Sequence, residues 1–189
     1  MPHGWEHIYD VGAFTYECGA CGERTTGHFG IWQISREGGV LSRVVICSHC
    51  GMPTYFRSID QIYPKPQYGQ HVEGITDPPV AELYAQARLC TSYHGFTAAN
   101  MLCRKILMNL AVSLGAPENQ SFKSYIDYLE SEGYTPPKGK DWIDEIRRAG
   151  NEANHEIRIV GQDEVKRILY FTGLVLQLIY SASHYLKKK

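Results

Sequence analysis

The chain has 189 residues, 43% of them hydrophobic and 21% charged, with a formal net charge of −1. Such a composition excludes an intrinsically disordered chain, and the near-zero charge excludes nucleic-acid binding through a global field. At this length the chain holds one ordinary domain, or a small module followed by a helical domain.

The N-terminal MPHGWEHIYD carries neither a basic n-region nor an apolar h-region, so no secretory signal is expected and a cytoplasmic location is. Residues 1 to 16 are aromatic and glycine-containing, without a clear period. Cys18-Gly-Ala-Cys21-Gly follows, then a strand-like Ile31–Ser35, a Glu37-Gly38-Gly39 turn and a second strand, Val40–Ile46. That strand leads into Cys47-Ser-His-Cys50-Gly. Two CxxC knuckles with 25 residues between them and a hairpin in the gap describe a zinc ribbon.

A two-residue gap lets one tight turn aim two thiolates at one ion. Four sulfurs at about 2.3 Å satisfy tetrahedral zinc and leave no open position, so the expected zinc is structural. Glycines follow Cys21 and Cys50, where such turns need open backbone angles. A disulfide pair is the main rival, disfavoured without a sign of secretion; a redox CxxC fits two knuckles in series less well. His49 is read as a bystander inside the second knuckle, and His3, His7 and His28 as surface residues.

From Met52 to Pro79 the sequence turns irregular, and prolines at 53, 64, 66, 78 and 79 argue for an extended connector. The expected division is residues 1–60 as the ribbon with its N-terminal extension, 61–77 as connector and 78–189 as a helical domain, an α+β chain in all. Residues 1–77 hold 5 basic and 8 acidic residues, a net of −3, which argues against the ribbon binding nucleic acid.

Asp77 before Pro78-Pro79 reads as a helix start. A first helix runs to about Tyr93, and Gly95 separates it from a second, Phe96 to Leu114, with Met101, Leu102, Ile106, Leu110 and Leu114 toward the core. Ser121 caps a third helix that stops at Gly133. Cys90 and Cys103 read as small core residues.

The fourth helix holds DWIDEIRRAGNEANHEI, Asp141 to Ile157. Ile143, Ile146, Gly150, Ala153 and Ile157 draw one apolar stripe. Arg147, Arg148, Asn151, Asn154 and His155 occupy the other side. The seven-residue step from Arg148 to His155 leaves them about 20° apart, two turns distant, while Arg147 is rotated about 80° from His155. Arg, Asn and His on one face form a candidate phosphate site; a solvated polar face or a buried hydrogen-bond network is the structural alternative.

The fifth helix, from about Gln162 to Leu186, is apolar almost all round in its middle, as a core or subunit-interface helix is. Its apolar run, Ile168 to Ala182, spans about 15 residues against the roughly 20 a bilayer crossing needs. No membrane partner is expected.

The residues of IRRAGNEANH, with Ile146-Arg147, Gly150-Asn151 and His155 in register, resemble the HEPN superfamily of nucleotide-binding helical domains. The resemblance is to a bacterial branch of unknown function, also found attached to type I restriction endonuclease subunits. Tyr93…Ala98-Ala99…Leu102-Cys103-Arg104 and the final FTGLVLQLIY helix support it over residues 78 to 186. It implies a bundle of about five helices that forms a homodimer and binds RNA or nucleotide, in many relatives as a metal-independent ribonuclease of defence systems. His155 would then act as general acid or base, Arg148 would bind and stabilise the scissile phosphate, and Asn151 would orient substrate or imidazole, with Arg147 and Asn154 in support. Arg148 is preferred because six residues separate it from His155, the usual family spacing, whereas Arg147 has seven. A non-catalytic module binding nucleotide, nucleic acid or a partner protein is the alternative.

Overall fold

The computed structural model describes residues 4–58, 61–135, 142–144, 146 and 159–181. The fold is α+β: a five-stranded antiparallel sheet followed by helices. The chain divides into two compact units, Met1–Gln67 and Tyr68–Lys189.

In the first unit the strands are β1 (Tyr9–Glu17), β2 (Arg24–Ile34), β3 (Val40–Ile46), β4 (Pro53–Ser58) and β5 (Gln61–Tyr63), neighbours in chain order throughout. The expected hairpin is β2–β3, in register from Gly30 opposite Val45 to Gln33 opposite Ser42, with a register shift before Ile34 opposite Val40. β2 begins seven residues before the expected Ile31. Its Gly27 is buried because β3 passes close by, and a Cβ there would strike the Val45 side chain. A residue type that weakens strands is therefore required in this one.

Two strands lie in the stretch read as irregular after Met52. PTYFRS places Thr54 and Phe56 inward and Tyr55 outward, a period-2 pattern headed by a proline at the first residue, where a strand tolerates it. Val11, Tyr16, Cys18, Val45, Cys47 and Phe56 form the core. Tyr16 and Phe14 meet Phe56 edge-on, at centroid distances of 5.0 and 4.8 Å.

In the second unit, α1 (Pro78–Ser92) starts as expected, with the Asp77 carboxylate accepting from the Val80 N–H at 3.3 Å and prolines in the first turn. α2 (Phe96–Ser113) buries Ala99, Asn100, Cys103, Ile106, Leu107, Leu110 and Ala111. Met101 departs from the expected stripe and is 66% exposed, because Cys103, Leu107 and Ala111 carry the buried face instead. α3 (Phe122–Ser131) is capped by the Ser121 hydroxyl, which accepts from the Ser124 N–H at 3.1 Å. α4 (Gln162–Leu176) buries eight residues from Val165 to Leu176 and passes into a π-helical turn, Gln177–Ser181. Between α3 and α4, residues 142–144 and 146 are helical, with Ile143 and Ile146 at 1% and 3% exposure in the core.

Residues 68–72 belong with the helices. Val72 joins their core, and Arg88 donates to the carbonyls of Tyr68 and Gly69 at 3.1 and 2.9 Å. Among the described residues no helix is long and apolar enough to cross a membrane.

Candidate functional site

The two knuckles are built alike. β1 delivers Cys18 and β3 delivers Cys47 at their C-terminal ends. In the first, the Gly22 N–H donates to the Cys18 carbonyl at 2.8 Å and the Cys18 N–H to the Glu23 carbonyl at 2.9 Å. In the second, the Gly51 N–H donates to the Cys47 carbonyl at 2.9 Å and the Cys47 N–H to the Met52 carbonyl at 3.0 Å. Gly22 and Gly51 take φ of 75° and 73°, where a side chain would cost about 1–2 kcal/mol. The glycines flagged in the sequence therefore close both loops.

These loops bring Cys18, Cys21, Cys47 and Cys50 together, all four sulfurs within 4.8 Å of one another. Cys18 Sγ lies 3.8 Å from Cys50 Sγ, and Cys21 Sγ 3.9 Å from Cys47 Sγ. Disulfide sulfurs sit about 2.05 Å apart, and all four cysteines are free, so the disulfide rival fails. A tetrahedron with metal–sulfur bonds of about 2.3 Å has edges of roughly 3.8 Å. The donor set thus fits one metal ion. His49 is exposed and stands outside the cluster.

The site favours a thiolate at Cys47. Burial pushes its thiol up, but the N–H groups of Cys50 and His49 and the neighbouring thiols outweigh this and bring it down to about 7. Burial pushes Cys21 up to about 12 and raises Cys50 as well. A divalent cation at the centre reverses that penalty by stabilising thiolates together.

Two supporting residues were not foreseen. The Trp5 indole N–H donates to the Gly51 carbonyl at 2.8 Å, tying the aperiodic N-terminal stretch to the second knuckle. Tyr16 donates to the Val45 carbonyl at 3.4 Å, and burial pushes its phenol up to about 12. Both are aromatic residues in a stretch whose lack of period concealed them.

Of the proposed nucleic-acid site, Arg147, Arg148, Asn151, Asn154 and His155 all lie outside the described residues. What precedes them is the buried start of the expected stripe, Ile143 and Ile146. Trp142 packs beside it, edge-on to Phe171 with centroids 5.3 Å apart.

The fold and site define a chain with a four-cysteine metal-binding sheet unit ahead of a helical unit. Residues 85–189 match the family described as Domain of unknown function (DUF4145). That is more than half of the chain, and the protein belongs to this family. No curated protein and no solved structure matches it.

Proposed function

We propose that the helical unit is a HEPN-like, metal-independent endoribonuclease of bacterial or phage defence, carried behind a structural zinc ribbon. The observation behind this reading is the pattern Arg148-x-x-Asn151-x-x-x-His155 inside the family-matched region. On an α-helix this spacing would set a guanidinium, an amide and an imidazole on one face, as phosphate binding and proton transfer need. His155 exchanges a proton with the RNA 2′-OH or the leaving oxygen. Arg148 holds the charge developing on phosphate, with Arg147 and Asn154 as secondary contacts and Asn151 orienting the reactants. A second copy of the chain brings the matching residues across a dimer.

Zinc is the metal that four thiolates with tetrahedral edges suit best. With every coordination position filled by sulfur, the zinc holds structure and takes no part in cleavage.

The test is incubation of pure protein with labelled RNA in EDTA, beside His155→Ala and Arg148→Ala. The expected result is cleavage by the wild type and a loss of at least about a hundredfold in each variant. Cleavage that ignores both substitutions would sink this site. Absence of cleavage on every RNA tried would move the assignment to a non-catalytic module that binds nucleotide, nucleic acid or a partner protein.

A further inference from the structure

In the helical unit, α2 carries two polar side chains that the fold takes out of water without giving them partners. Asn100 is 3% exposed, and among the described residues no group hydrogen-bonds to its amide. Arg104, one turn further on, is half-buried. Its guanidinium lies 4.7 Å from the centroid of the Phe122 ring, burial lowers its pKa, and no described carboxylate engages it. The four-residue step sets the two side chains about 40° apart on one face. A long helical side chain leans back over the preceding turn, here toward Asn100. Phe122 is the first residue of α3, and no acidic residue stands in the first turn of that helix. The ring under the guanidinium thus belongs to a helix end that is itself partly positive. Buried polar groups nearly always find partners, and two left unpaired side by side carry a cost that a bound anion removes. Val160, five residues after His155 in the chain, donates its N–H to the Thr97 hydroxyl at 3.2 Å. Thr97 is three residues before Asn100 and about 20° from Arg104 around α2, so this edge of α2 also anchors the chain that follows the proposed RNA site.

We infer that Asn100 and Arg104 bind a backbone phosphate flanking the scissile one, an inference that rests on reading the helical unit as acting on RNA. Stacking on Phe122 fixes the plane of the Arg104 fork and leaves its N–H edges available. The fork donates to the two anionic oxygens, and the Asn100 amide N–H donates to a further oxygen. A carboxylate is saturated by the fork alone, whereas a phosphodiester still offers the amide an acceptor. The neighbouring end of α3 favours the same kind of anion.

The test uses the full-length, metal-loaded protein and a fluorescent 2′-O-methyl RNA, which resists cleavage through the 2′ position. Anisotropy is read across a salt series. Arg104→Gln should weaken binding about tenfold and make the plot of log K against log salt shallower by about 0.7. Asn100→Ala should weaken binding to a similar extent and leave the slope at its wild-type value, because an amide carries no charge. Arg104→Lys should keep the slope and recover only part of the affinity, having the charge without the fork. Asn100→Asp sets a carboxylate one turn before Arg104, where the two can pair. It should raise the melting temperature and weaken RNA binding by at least about a hundredfold, since the internal carboxylate takes the place of the phosphate. Unchanged RNA affinity in Asn100→Asp, a wild-type salt slope in Arg104→Gln, or an absence of RNA binding would each overturn the inference. A lower melting temperature in Asn100→Asp would do so too, because the guanidinium would then already have a partner inside the fold. A mononucleotide bound as tightly as the RNA would overturn RNA as the ligand. RNA held through Arg104 yet never cut in its 2′-OH form would leave the phosphate site standing and remove the ribonuclease reading. RNA cut by Asn100→Asp and Arg104→Gln at the wild-type rate and affinity would do the reverse.

Discussion

Tyr84 lies where α1 meets the 68–72 strap and α4. Its phenol donates to the Gln70 carbonyl at 2.9 Å, and a Cβ on Gly173 of α4 would come within 2.7 Å of the phenol oxygen. Burial pushes this phenol from the ordinary 10 up to about 12, against a smaller opposite pull from Arg88. The folded state therefore prefers the neutral phenol. The stability this contributes is complete below about pH 10 and is lost as pH rises through about 12. Tyr84→Phe should cost about 1 kcal/mol at neutral pH through the lost hydrogen bond. It should also soften the alkaline fall in stability, as urea melts at pH 7 and pH 11 would measure. An alkaline fall identical in the two proteins would rule out Tyr84 as its source. At this scale the sequence was legible where chemistry is local. Four cysteines and their glycines announce a metal cage because ligand spacing and turn angles are set within five residues. Trp5, Tyr84 and Arg88 act through carbonyls 46, 14 and about 20 residues away, and no local pattern carries such pairings.

At the scale of elements, the helices of the second unit were readable from their caps, because Asp77, Gly95 and Ser121 satisfy or interrupt backbone donors within a few residues. Strands fared less well. Gly27 belongs in β2 only because Val45 crosses beside it, β1 has a register shift between Asp10 and Phe14, and Pro53 heads β4. Each feature weakens the alternation that marks a strand. Within α2 the helix was evident and its buried face was not. Ile106 and Leu110 fit the expected stripe, but Met101 does not, because the neighbours of α2 select the face and a helix hydrophobic on several sides leaves that choice to packing. Two substitutions separate the alternatives. Ile106→Ala, at 0% exposure, should destabilise the helical unit by about 2–5 kcal/mol. Met101→Ala should stay within about 0.5 kcal/mol of wild type. Chemical denaturation of both would read this directly, and a large loss at Met101 would place the core on the wrong side of α2.

At the scale of the whole molecule, the two units stand on very unequal cores. The helical unit buries a large apolar set that runs through α1, α2, α3, residues 143 and 146, and α4. Among the described residues the core cluster of the sheet unit holds six buried side chains, and two of them, Cys18 and Cys47, belong to the metal site. So small a core seldom supplies more than about 3–5 kcal/mol, whereas structural zinc contributes apparent binding energies of roughly 10–16 kcal/mol. The ion should therefore decide whether the sheet folds, and the helices should not depend on it. Metal analysis should find one zinc per chain, and Cys47→Ser should abolish it. Hydrogen exchange after treatment with a strong chelator should show β1 to β4 losing amide protection while α1, α2 and α4 keep theirs, and Cys47→Ser should reproduce that pattern without chelator. A sheet that stays protected once metal is removed would mean that Phe14, Tyr16, Val45 and Phe56 suffice to hold it. Helices that melt together with the sheet would mean that the sheet supports them, and the two units would then have to be treated as one cooperative body.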